Sequence, residues 1–460
     1  MIKRPRTARP LLLFALIASS AFVASSSCGL IAQTAPLAAA PQQRPDATSL
    51  QQLLDRDDYI GYSTAIPRLV AGTLTSAQQQ YFLGMLGFHA GHLDRATAPL
   101  MAAVNAHDKS LTSEQVESAL ETLAQINFKL CRFNDAALYY GEIDRVFGSR
   151  LGDGQQSIRD NGHLATLLKD VAPQTIQISA DFTLPRTGLE YPVSIPNRRS
   201  PHPFFAQLDT GAEISLLTES TARAWGVTLL DGSATLHGYG GGAFPVHPAL
   251  IPALTIGNAE LHNIPVYVTA DANLYIAEVK RQTNALLGYS VVAALGRLTF
   301  AKDGSLTVYA QSPSRDLHSS AALWLSDHSL LVELGTQPIF TKGKITGSAA
   351  TRLFMLDTGS NSTLLTDHYL AEHTNAFHGT PPEIARLAGG GGIHAIAAYS
   401  AKNVPLFAGD TLILLNGPHI LARPSGSEVE NFFGLVGQNI LGIFSSYTID
   451  FRNMSLTLSP

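Results

Sequence analysis

Cysteine is nearly absent from this 460-residue chain, which has only Cys28 and Cys131. That excludes a disulfide framework and any zinc site built from cysteine. Charge is sparse too, at 15% of residues, and the net charge of −5 comes without an acidic or basic block. Nothing in that pattern points to nucleic acid. The histidines lack a His-Glu-x-x-His spacing, so His89, His92 and His107 read as surface or turn residues rather than metal ligands. Apolar runs long enough to cross a bilayer are missing throughout.

Gly and Pro are plentiful, with 38 and 25 residues. Together with the low charge they favour a β-rich, turn-rich chain, and the length allows about two to four domains. The N-terminus has its own character. Lys3, Arg4, Arg6 and Arg9 precede an apolar run from Leu11 to Val23, then small residues and Cys28. The run is too short for a span and suits a secretory signal. Cleavage after residue 27 is the first reading. Lipidation at Cys28 is the second, because Ser25 stands where a lipobox carries leucine. Residues 28–48, rich in Ala, Pro and Gln, read as a linker.

From 49 to 170 the apolar period is helical. Gly84 and Gly87 lie in that pattern where close helix packing would explain them. Two segments about forty residues apart resemble each other: Tyr81-Phe82-Leu83-Gly84 running to Gly91-His92-Leu93-Asp94-Arg95-Ala96, and Ile126-Asn127-Phe128-Lys129 running to Cys131-Arg132-Phe133-Asn134-Asp135-Ala136. The pattern is similar to tetratricopeptide repeats. Two units are too few for a free solenoid, so they are expected to lean on the rest of the protein or on a partner. Cys131 falls where a small buried residue belongs.

Beyond Thr175 the period becomes two, and one motif occurs twice. Leu208-Asp209-Thr210-Gly211-Ala212 and Leu356-Asp357-Thr358-Gly359-Ser360 each sit between apolar runs. A helix candidate follows each, Thr218 to Trp225 and Thr366 to His373, and then a glycine-rich segment. Further on come Leu286-Leu287-Gly288 and Leu435-Val436-Gly437, with Gly288 79 positions after Asp209 and Gly437 80 after Asp357. An acid on a turn between buried strands is costly unless its carboxylate has work to do. As a plain turn residue Asp would suit a single copy, but matched landmarks around two copies indicate a duplication. The domains are therefore read as 175–310 and 321–460, two lobes joined by a linker at 311–320.

At these residues the chain resembles the aspartic peptidases over roughly 60% of its length. The lobe size is similar to the retropepsin-like group, and two lobes in one chain follow the pepsin-like arrangement. The resemblance implies a multidomain protein with two pseudo-symmetric, all-β, barrel-like lobes after an α-helical repeat domain. It implies Asp209 and Asp357 as the catalytic pair, supported by Thr210, Gly211, Thr358, Gly359 and Ser360, without metal or cofactor. Two close carboxyls share a proton, so one serves as base towards water and the other as acid, and acid activity is expected. Thr210 and Thr358 are expected to bond across the lobes, and Ser360 to bond Asp357 where Ala212 has no hydroxyl to offer Asp209. Tyr239 and Gly240 are read as a flap over an extended peptide, with an ordinary hairpin turn as the alternative. The glycine-rich segment 389–392 carries the same two readings.

The leading function is thus an exported aspartic endopeptidase, periplasmic or extracellular, acting on peptide or protein and recruiting a partner through its helices. The alternative is an inactive peptide-binding scaffold. Equal lobes in one chain make a homodimeric active site unnecessary.

Overall fold

The computed structural model describes residues 44–459 except 107, 152–153, 197, 199–202, 239–241, 277–279, 312–319, 338, 342–343, 347–349, 390–391 and 423–431, together with Leu12–Leu13. The rest of the targeting segment, Cys28, His107, Tyr239, Gly240, the centre of the second glycine-rich segment and most of the linker 311–320 lie outside the described residues.

The helical region opens at Ala47–Leu54 and closes at Gly154–Leu167. Its centre is two helix pairs, Ser76–His89 with Leu93–Asn105 and Ser113–Lys129 with Phe133–Phe147. The first helix of each pair starts at a capping box, Thr75 with Gln78 and Thr112 with Gln115, which satisfies amides the helix leaves open. The turns between partners match as well. His92 N donates to Gly87 O at 2.8 Å, and Arg132 N to Asn127 O at 2.7 Å. Gly91 and Cys131 occupy the same left-handed position, φ 74° and 55°. Only glycine takes that conformation freely. Cys131 is buried there, as expected. Gly84 lets Leu100 pack against its helix, since a Cβ would come within 2.5 Å of Leu100 Cγ. His89 departs from the surface reading. It is buried, stacks on Tyr59 at 3.9 Å, and its Nδ1 lies 2.8 Å from Leu325 O. The helix alternates its faces so that His89 meets a strand of the β region instead of solvent. Among the described residues, no helix is long and apolar enough to cross a membrane.

The β region begins with Thr175–Ile178, and its strands fall into two main sheets. One holds Phe204–Leu208, Leu216–Thr218 and Ala285–Leu287. The other holds Ala350–Leu356, Leu364–Leu365 and Gly434–Val436. Strand Arg297–Ala301 pairs antiparallel with Ser446–Asp450, and Ser305–Tyr309 and Ser455–Ser459 flank this pair on either side. The chain segments that end the two halves therefore share one sheet. Buried apolar residues alternate along these strands, with Leu298, Phe300, Leu306 and Val308 facing inward.

Candidate active site

Each Asp-Thr-Gly turn is held by the strands around it. Phe204–Leu208 runs parallel to Ala285–Leu287, with Leu208 opposite Leu287, and Asp209 N donates to Leu287 O at 3.0 Å. Leu356 lies opposite Val436 in the same sense, and Asp357 N donates to Val436 O at 3.0 Å. Tyr289 N reaches Ala212 O at 2.7 Å, and Gln438 N reaches Ser360 O at 2.8 Å. Gly288 N donates to Ser215 Oγ at 3.0 Å and Gly437 N to Thr363 Oγ1 at 3.1 Å. Leu287-Gly288 and Val436-Gly437 thus back the two turns. The helix candidates are also present, Glu219–Trp225 behind an N-cap at Thr218 and Asp367–Glu372 behind Thr366.

The two turns then bind each other. Thr210 Oγ1 donates to Leu356 O at 2.7 Å and accepts from Thr358 N at 3.1 Å. Thr358 Oγ1 donates to Leu208 O at 2.9 Å and accepts from Thr210 N at 3.0 Å. Each hydroxyl uses its one proton and a lone pair, and both threonines are buried. This crossing carries the aspartates together. A Cβ on Gly211 would sit 2.6 Å from Asp357 Oδ1, and one on Gly359 would sit 2.6 Å from Asp209 Oδ1. Each carboxyl therefore lies against the glycine of the opposite turn, a place only glycine leaves open.

Asp209 is 0% exposed and Asp357 2%. Gly211 N donates to Asp209 Oδ1 at 2.8 Å; Gly359 N and Ser360 N donate to Asp357 Oδ1 at 2.8 and 2.9 Å. Burial pushes Asp357 up to about 6, against the bonds from Asp209, Gly359 and Ser360 that favour its charge. Burial, and then the charge of Asp357, push Asp209 well above the usual carboxylate range. The carboxyls are in hydrogen-bonding reach of each other, and Asp209 Oδ2 meets no N–H or O–H donor among the described residues. A shared proton satisfies that oxygen, so titration belongs to the pair.

The expected role of the Ser360 hydroxyl is corrected here. Its Oγ donates to Ser362 O at 2.8 Å, and the backbone amide, not the hydroxyl, serves Asp357. The Ala212 amide lies near enough to Asp209 to favour its charge slightly, without the short bond that Ser360 N makes. The Ala/Ser difference therefore does not act through a hydroxyl at either carboxylate.

Three neighbours of the site carry no motif. Gln207, fully buried, donates from Nε2 to Gly359 O at 3.2 Å and accepts from Arg281 Nη2 at 3.0 Å. Burial lowers the Arg281 guanidinium, against the pull of Glu190 and Asp209. Gln438 Nε2 donates to Thr358 O at 2.8 Å. Both amides fix the carbonyls of the second turn. The one available signal was a glutamine inside an apolar strand, Phe204-Phe205-Ala206-Gln207-Leu208.

The sequence model of the aspartyl protease family matches residues 192–291. Asp209 and Gly288 lie within the match, and Asp357 lies beyond it. No curated protein matches the chain. The chain therefore carries an aspartic-peptidase-like domain.

Proposed function

We propose that the protein is an exported aspartic endopeptidase whose two halves are duplicated lobes, with Asp209 and Asp357 as the catalytic pair. The observation that carries this reading is the reciprocal threonine bonding that sets each carboxyl on the opposite glycine. With one proton between them, the ionised carboxylate takes a proton from water as the water oxygen adds to the scissile carbonyl carbon. The protonated partner gives its proton to the carbonyl oxygen. A neutral diol results. Its collapse returns a hydroxyl proton to a carboxylate, delivers a proton to the amide nitrogen, and breaks the C–N bond. Thr210, Gly211, Thr358, Gly359 and Ser360 hold the pair in register. Tyr239 and Gly240 are proposed to cover an extended peptide. The basic and apolar N-terminus supports export, with Cys28 as an anchor if lipidated. The paired helices support a tetratricopeptide-like role in recruiting substrate or partner.

Burial of both carboxyls also gives a reason to weigh the inactive peptide-binding reading, because a substrate must displace whatever covers them. Cleavage of a mixed peptide library between about pH 3 and pH 8 separates the two. The proposal expects cleavage by the parent and its loss, by about 1,000-fold or more, in both D209N and D357N. Cleavage that survives in both variants, or none in the parent at any pH, removes the enzymatic reading. The pair works with one proton, so kcat/KM should rise with pH as the pair loses its first proton, near 6, and fall again as it loses the second. Burial thus moves the expected window from acid towards neutral pH.

A further inference from the structure

We infer that Lys129, the last residue of helix Ser113–Lys129, is a positioning residue for the Asp209 turn and acts through Glu213. The inference rests on the peptidase reading and extends it to the helical region. Glu213 follows the turn directly in Asp209-Thr210-Gly211-Ala212-Glu213. Its side chain is 1% exposed, and Lys129, whose side chain is 2% exposed, brings Nζ to 3.4 Å from Oε1. His328 Nδ1, between strands Ser320–Leu325 and Leu330–Thr336, lies 2.9 Å from Oε2. In the amide orientation that satisfies its surroundings, Gln125 donates to Glu213 Oε1 at 3.1 Å and accepts from the Tyr140 hydroxyl. Glu213 is thus the point where the helices, the first half and the second half meet.

Lys129 touches the turn by a second route. Its Nζ lies 5.3 Å from the centre of the Tyr289 ring, and Tyr289 N holds Ala212 O at 2.7 Å. The ammonium therefore grips both the residue after the turn and the residue that clamps it. A buried ion pair adds little stability over apolar side chains of the same size, whereas fixing register is its best-attested use. The second half places Asn361 where the first has Glu213, so the charged contact belongs to one turn only. This makes the helical region part of the catalytic unit as well as the proposed recruiter.

The test compares K129M, E213Q and K129M/E213Q in the full chain, with kcat and KM per folded protein and hydrogen exchange of amides 209–216 and 357–364. K129M should lower kcat by about tenfold or more with KM within about twofold, and speed exchange at 209–216 but not at 357–364. The double variant, which leaves no unpaired charge, should recover a large part of kcat. Parent-like kcat and exchange in K129M overturn the proposal, as does exchange that rises equally in both turns. Should K129M not fold, E213Q decides: about threefold lower kcat and faster exchange at 209–216 support it, and parent-like values overturn it. A parent that cleaves nothing removes the peptidase reading alone, and the exchange of the two turns then decides this proposal by itself.

Discussion

The Asp209 and Asp357 turns have the same backbone scaffold and different surroundings. Both receive an amide from the second residue after the aspartate, both are backed by an apolar-apolar-glycine strand end, and both are gripped by the other's threonine. The side chains beyond them diverge. Gln207 and Glu213 flank the first turn, Gln207 bonding across to Gly359 O and Glu213 pairing with Lys129, while Met355 and Asn361 hold those positions in the second. Helices press on the first turn through Lys129. Burial raises both carboxyls, and they titrate as one pair. The lesson is that backbone hydrogen bonds build the shared geometry, whereas side chains decide how each half is supported.

The largest effect should come from the glycines. Gly211→Ala and Gly359→Ala each drive a methyl into the carboxyl of the opposite turn, and each should lower kcat/KM by about 100-fold or more with about 1–3 kcal/mol of stability lost. Steady-state kinetics and urea unfolding check this. A harmless alanine at either position breaks the claim that the carboxyls cross.

The threonine pair comes next. Thr210→Val and Thr358→Val should each cost about 1–3 kcal/mol, because each strands a buried amide and a carbonyl. Equal losses in denaturant unfolding support equivalent roles, and a cost confined to one variant breaks the symmetry.

The shared burial of the carboxyls is tested through pH. Both aspartates are raised above their unfolded value, so the folded state holds more protons, and the pair's contribution to stability is greatest below about pH 4. It declines as pH rises through about 6 and beyond. At pH near 7, D209N and D357N should each gain stability over the parent, because each removes a carboxyl that burial raises. The gain should vanish near pH 4. Unfolding free energies at the two pH values decide it, and a difference from the parent that is the same at both removes the claim that burial raises the pair.

The smallest effect belongs to Ser360→Ala, which gives the second turn the residue that the first has in Ala212. The amide that serves Asp357 remains, so kcat/KM should stay within about twofold. Loss of the Ser362 contacts should cost about 1 kcal/mol. A large loss of activity would restore the hydroxyl to a role at the carboxylate.

Much of this arrangement was legible in the chain. The doubled Asp-Thr-Gly, the spacing to Gly288 and Gly437, the helix after each turn and the small residue at Cys131 all follow local rules of turns and period. Gln207, Arg281, Lys129 and His328 were not legible. Each acts on a residue far away in sequence, and an isolated polar residue in an apolar run does not name its partner. His89 misled for the same reason, because a helix period marks which face is apolar but not which strand that face will meet.

The sequence by itself determined that two acidic glycine turns, each between apolar strands, are made by one chain, since backbone conformation and burial period depend on near neighbours. Only the tertiary structure decided that the carboxyls share one buried space, that amides rather than the Ser360 hydroxyl serve them, and that a lysine from the helices reaches the first turn. Those outcomes depend on which surfaces pack together, and burial then sets the charge of what they enclose.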